Sequence, residues 1–212
     1  MVFKNSQGKI VIDALISIIQ ENKAYLSDID GKIGDGDHGI NMNKGFSLCA
    51  DKLTGVDCSL TQAFATLSQT LMKEIGGSMG PLYGVFFEGM ATVSADKETI
   101  DASTFEAMLA EALEGVQDIG NAKRGDKTLL DTLIPAKEAF SESLSQGKDF
   151  TECLDAMKCA AQEGWQATES MVAKVGRASR LGERSRGVLD AGATSCYLLV
   201  STLANSIQSL LA

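Results

Sequence analysis

Apolar positions recur along this chain at intervals of three and four, the repeat that turns one face of an α-helix toward a core. Ile10, Val11, Ala14, Leu15, Ile18, Ile19 and Leu26 form the first such face. A second helix is expected from near His38 to about Leu53, a third over roughly Leu60 to Ile75, and a fourth from beyond the Gly76-Gly77 pair to about Ala95. Ser103 is the expected N-cap of a fifth, with Glu106 three residues on completing a capping box and Gly120 as its stop. A sixth spans about Leu129 to Ser145, before Gly147, and a seventh about Phe150 to Val175, with Gly164 a candidate interruption. The last covers about Ala193 to Leu211, with Cys196, Tyr197, Val200, Leu203, Ala204 and Ile207 on one side. Strand-like alternation is nearly absent. Eight helices with short connections predict an all-α bundle of antiparallel neighbours, and 212 residues fit one domain over residues 1–212.

Glycines concentrate in four of the connections: 31–39, 76–80, 120–125 and 176–192. Alternate connections of an up-and-down bundle lie at the same end. These four follow the first, third, fifth and seventh helices, so they are expected to share one rim and to build one composite site there.

Charge narrows what that site holds. Nineteen Lys and Arg against 28 Asp and Glu give a net charge of −9. This argues against nucleic acid and anionic membranes, which require a basic face. A single nucleotide stays compatible, because metal ions can neutralise its phosphates locally. The five cysteines show no CxxC spacing, and their odd number suggests neither a disulfide framework nor a zinc site. A reducing, cytoplasmic setting is expected. The first residues lack a signal-peptide pattern, and no run approaches the roughly 18 apolar residues of a membrane span.

Asp30, Asp35 and Asp37 fall within eight residues, separated mainly by small side chains. Carboxylates held this close repel unless a cation lies between them, and hard oxygen ligands suit magnesium or calcium rather than zinc. A solvated acidic turn at a helix start is the simpler alternative. An EF-hand is excluded: twelve residues counted from Asp35 end on Phe46, and from Asp30 on Asn41, where glutamate is required. No Walker-type loop and no GxGxxG after a strand is present. His38 is the sole histidine. A lone histidine at a helix start is more often a packed polar group than a catalyst, but here it directly follows the carboxylates, and Asn41 lies one helical turn on, able to face the same ligand.

Four blocks carry a family resemblance. They are Ile33-Gly34-Asp35-Gly36-Asp37-His38-Gly39-Ile40-Asn41-Met42, the run from Gly76 to Gly84, the run from Gly125 to Asp131, and Gly176 to Ser185 followed by Asp190 to Ser195. In this order they resemble the DhaL family, the nucleotide-binding subunit or C-terminal domain of dihydroxyacetone kinases, across nearly the whole chain. The resemblance implies an eight-helix barrel-like bundle with ADP or ATP at one rim. It implies that Asp30, Asp35 and Asp37 bind two magnesium ions bridging the phosphates. By matched position, His38, Asn41, Ser78, Met79 and Arg177 contact the nucleotide, and Gly120 and Leu129 line its base or sugar side. Asp190, Ala191 and Gly192 match the loop that closes over it. Lys127 and Glu183 lie inside the motifs without an assigned chemistry, and structural ion pairs are expected for both. Gly36 and Ala191 stand where some relatives carry alanine and proline.

The resemblance also implies half an enzyme. A separate DhaK-type subunit holds the ketose, so neither a catalytic base nor a sugar site is expected in this chain. The phosphoryl source is either free ATP or a resident ADP recharged by a DhaM-type phosphohistidine protein of the sugar phosphotransferase system. A free-standing L subunit favours the second. Two other readings stay open: a nucleotide-loaded co-regulator of a transcription factor, and a magnesium phosphohydrolase using the same loop.

Overall fold

The computed structural model describes residues 1–211, and the helical periodicity carries through nearly everywhere. Among these residues nine α-helices form: α1 (Gly8–Glu21), α2 (Lys23–Ile33), α3 (His38–Leu53), α4 (Leu60–Glu74), α5 (Met79–Ser94), α6 (Ala102–Ile119), α7 (Leu130–Ser145), α8 (Phe150–Ala167) and α9 (Ala191–Leu210). Each packs on its neighbour in sequence, and α9 returns to α1 and α2, closing the bundle into a ring. The interior is aliphatic and aromatic, from Val11, Leu15 and Ile19 on α1 to Leu203 and Ile207 on α9. No helix among the described residues is long and apolar enough to cross a membrane.

The ninth helix comes from a break in the first expected one. Asn22 adopts φ −98°, ψ 9°, and its side-chain amide donates to the Ile18 carbonyl at 2.8 Å. Its side chain thus satisfies an α1 carbonyl locally, so the chain bends while the three-four spacing continues into Leu26. A second departure is a short antiparallel pair, β1 (Val2–Lys4) with β2 (Thr99–Asp101), in which Phe3 faces Ile100. Phe3 and Ile100 are buried, and Phe3 leads into a cluster of Phe105, Phe140 and Phe150.

Three boundaries also move. Asp101, not Ser103, caps α6, its carboxylate accepting from the Thr104 amide at 2.7 Å, because the helix starts directly from β2. Helix α8 runs through Gly164 and stops at Ala167. A Cβ at Gly164 would lie 2.2 Å from the Asp131 carbonyl, so this glycine serves the close approach of α7 and α8 and does not interrupt the helix. Helix α9 starts at Ala191, two residues earlier than expected, because the Asp190 carboxylate caps it, accepting from the Ala193 amide at 2.7 Å.

Candidate functional site

The four glycine-rich connections meet at one rim, around a cavity of about 620 Å³. Four helices, α3, α5, α7 and α9, begin there, with His38, Met79, Leu130 and Ala191 on its wall. Helix N-termini carry partial positive charge and unpaired amides, which makes such a place receptive to anions. Every residue given a metal or nucleotide role in the sequence analysis lines this cavity: Asp30, Asp35, Asp37, His38, Asn41, Ser78, Met79, Gly120, Leu129, Arg177, Asp190, Ala191 and Gly192. Thr128 does too.

The acidic corner is built by the α2–α3 turn. One carboxylate oxygen from each of Asp30, Asp35 and Asp37 lies within 4.8 Å of the others. Asp30 ends the α2 side and accepts from the His38 amide at 3.2 Å, which ties the two helix ends together. Gly34 permits this, since a Cβ there would sit 2.2 Å from Asp30 Oδ1. The Arg177 guanidinium contacts Asp35 Oδ2 from across the cavity, so one positive charge already faces the cluster. An all-carboxylate set at this spacing, open on one side, fits a hard divalent cation that also takes phosphate oxygens.

Behind the carboxylates, His38 Nε2 lies 2.9 Å from Ser195 Oγ, which lies 2.7 Å from the Tyr83 hydroxyl. Tyr83 also donates to the Gly192 carbonyl at 3.2 Å. Burial pulls the His38 pKa down to about 4 against the opposing pull of Asp30, so the ring is neutral at physiological pH. Burial pushes the Tyr83 phenol well above its ordinary value. The same effect raises Asp190 to about 7, opposed by the Ala193 amide and by Lys127, and aided by Asp131 and Asp30. The lining also includes an apolar set, Met79, Leu82, Val116 and Leu129. The cavity thus combines polar ligand chemistry with apolar lining.

Tyr83 and Ser195 were not identified as site residues from the sequence, although both lie within the matched blocks; their roles arise from contact between α3, α5 and α9. Lys127 corrects an expectation. None of the ion pairs among the described residues includes it; its ammonium instead donates to the carbonyls of Met171, Ser185 and Val188. Glu183 does pair, with Arg186 at 3.1 Å.

A closed helical ring with carboxylates, helix N-termini and apolar lining at one rim defines a class: an all-α domain with the chemistry to hold a phosphorylated ligand through a hard cation. The model of the DAK2 domain matches residues 32–205, and the chain belongs to that family. It is 41% identical over 85% of its length to the PEP-dependent dihydroxyacetone kinase 1, ADP-binding subunit DhaL, of Listeria innocua, covering 86% of that protein. To the corresponding DhaL subunit of Escherichia coli it is 36% identical, over 88% of this chain and 90% of the relative. The dihydroxyacetone kinase of C. freundii, solved with AMP-PNP and Mg2+, superposes with a TM-score of 0.67 at 25% identity, over 92% of this chain. This chain spans about a third of that larger kinase, 33% of its length.

Proposed function

We propose that this chain is the nucleotide-holding L subunit of a dihydroxyacetone kinase, with residues 1–212 acting as one DhaL-type domain in the cytoplasm. The observation that carries the reading is the convergence of Asp30, Asp35 and Asp37 with Arg177 and four helix N-termini on one cavity. The naming of its Listeria and Escherichia relatives as ADP-binding subunits supports it.

In this reading ADP lies with its base against Leu82, Val116 and Leu129 and its phosphates toward the carboxylates. Two magnesium ions, held by Asp30, Asp35 and Asp37, would supply neutralisation of phosphate charge. The amides at the α5 start, around Ser78 and Met79, donate to phosphate oxygens, and Arg177 adds a cation to the same group. His38, neutral and held by Ser195, presents its ring and not a charge to the nucleotide. Asn41, one turn along α3, offers an amide beside it. The loop of Asp190, Ala191 and Gly192 closes the cavity, with Gly120 leaving space near the base.

Bound ADP would supply the phosphoryl carrier between a DhaM-type phosphohistidine protein, as donor, and a hydroxyl of dihydroxyacetone held on a separate DhaK-type subunit, as acceptor, and would be regenerated by the transfer. This chain positions and shields; it contributes no base. Relatives named PEP-dependent or PTS-dependent favour a resident ADP over exchange with free ATP. A related ketose is the second reading, favoured by 32% identity to the L-erythrulose kinase of Pectobacterium atrosepticum, of which this chain covers 34%.

Calorimetry with ADP and magnesium tests the assignment. Asp30→Ala, Asp35→Ala and Asp37→Ala should each lose magnesium-dependent ADP binding while circular dichroism shows helical content retained. Unchanged affinity in all three would overturn it. ADP that stays with the purified chain through gel filtration supports the resident cofactor; a nucleotide-free preparation with only weak ATP binding counts against it.

A further inference from the structure

The segment from Thr168 to Asp190 is the long connection of this bundle, and it carries no α-helix, only 3-10 turns over Thr168–Ser170 and Arg177–Ser185. Its tip supplies Val175, Gly176, Arg177 and Ala178 to the cavity wall. The placement of Arg177 therefore depends on what holds the base of this loop.

Several contacts do, and one buried side chain makes three of them. Lys127 Nζ donates to Met171 O at 3.1 Å on the outgoing strand of the loop, and to Ser185 O and Val188 O, both at 2.6 Å, on the return. An ammonium has three protons, and all three are used on main-chain carbonyls. The residue is 1% exposed. It is also the one non-glycine residue at positive φ among those described, at 63°, a conformation that persists in proteins where surrounding structure enforces it. Here Asp131 enforces it: its carboxylate accepts from the Gly125 amide at 2.5 Å and the Thr128 amide at 2.8 Å, folding the turn so that Lys127 points inward. Asp190, whose charge favours the ammonium form against burial, stands at the start of α9 beyond the loop.

We propose that Lys127 is a positioning residue of this site: it pins both ends of the 171–188 loop and thereby holds Arg177 over the phosphate end of the cavity. The proposal rests on the nucleotide reading given above for the cavity. It is distinct from a general packing role because the three acceptors bracket Arg177 in sequence and belong to no α-helix. Secondary ties, Ala173 N to Ser185 Oγ at 2.9 Å, Gly187 N to Glu169 O at 2.7 Å, Lys174 N to Asp126 O at 3.1 Å with the Lys174–Asp126 ion pair, and Arg186 to the Ser170 carbonyl, keep the loop near its place without Lys127, but none of them joins both of its ends to the 125–131 turn.

The test uses the full chain with Lys127→Met, which keeps side-chain length, and Lys127→Gly, which accepts the positive φ but removes the tether. Hydrogen exchange followed by mass spectrometry should show faster exchange in peptides covering 171–188, with α1 to α7 unchanged, in both variants. ADP affinity in magnesium should fall by about tenfold or more, of the order expected when a charged contact loses its alignment. Adding Arg177→Ala to Lys127→Met should cost little beyond either change alone, because Lys127 acts through Arg177. Full additivity in the double variant, or wild-type exchange in 171–188 with wild-type ADP affinity, overturns the proposal while leaving the nucleotide reading intact. A wild-type chain that fails to bind ADP overturns the nucleotide reading instead, and the exchange comparison then still decides whether Lys127 tethers the loop. If Lys127→Met does not fold, the glycine variant supplies both measurements.

Discussion

His38 Nε2 and Ser195 Oγ stand 2.9 Å apart, joining the start of α3 to the first turn of α9. Ser195 also meets Tyr83, so one hydroxyl links three helices at the floor of the cavity. Ser195→Ala leaves a buried histidine nitrogen without its partner. We expect a loss of about 1–3 kcal/mol in urea unfolding, the usual result of orphaning a buried polar group, together with weaker ADP binding as the ring gains freedom. Unchanged stability would show that His38 finds another partner.

Arg177 and Asp35 form a contact between partly exposed side chains, 62% and 42% exposed. Such a pair adds on the order of 1 kcal/mol or less to folding. Arg177→Ala should therefore leave the thermal midpoint of the nucleotide-free protein nearly unchanged while lowering ADP affinity about tenfold. Arg177→Lys should restore only part of it, since an ammonium lacks the planar fork that meets a phosphate. A large drop in midpoint with full affinity would reverse this assignment.

Asp190 gives a pH signature. Its folded pKa of about 7 lies above the ordinary carboxylate value of 3.8. The folded protein therefore binds this proton more tightly than the unfolded chain does, and its contribution to stability is present below pH 4 and lost as pH rises toward 7. Asp190→Asn keeps a cap oxygen for Ala193 and removes the buried charge. The stability difference between variant and wild type should grow in favour of the variant from pH 4 to 7, then level off, by about 4 kcal/mol at pH 8. A difference that stays flat across this range in urea titrations would show that Asp190 ionises normally.

Gly164→Ala tests the α7–α8 contact. The added methyl would meet the Asp131 carbonyl at 2.2 Å and Pro135 Cγ at 2.9 Å. Overpacking of this kind costs about 1–3 kcal/mol. Asp131 also holds the turn carrying Lys127, so ADP affinity should fall alongside stability. Calorimetric unfolding at wild-type temperature would mean the helices can separate freely.

The helical ring and the composite rim were both legible in the sequence, because periodicity marks faces and glycine-rich alternate connections mark a shared end. The break at Asn22 was not, since apolar spacing continues across it and only a side-chain hydrogen bond bends the chain. The β1–β2 pair was too short to show alternation. Within the site, most of the residues proposed from the sequence could be read as candidates because they lie in or beside a local block, Gly120 being the exception. Tyr83, Ser195 and Lys127 could not, because what they do depends on partners about 100, 150 and 50 positions away, as the hydrogen bonds of Tyr83 with Ser195, Ser195 with His38, and Lys127 with Met171, Ser185 and Val188 make plain.

Trp165, the sole tryptophan of the sequence, stacks on Tyr197 at a centroid distance of 4.5 Å, 3° from parallel. Its indole nitrogen donates to Thr194 Oγ1 at 2.9 Å, and Thr194 in turn donates to the Asp190 carbonyl at 2.7 Å. Excited-state indole is sensitive to hydrogen bonding and to nearby charge. Any rearrangement of the α9 start that alters Asp190 is thus relayed within two hydrogen bonds to a fluorophore with no competing tryptophan signal, so ligand arrival and departure can be followed by intrinsic emission in the unlabelled protein.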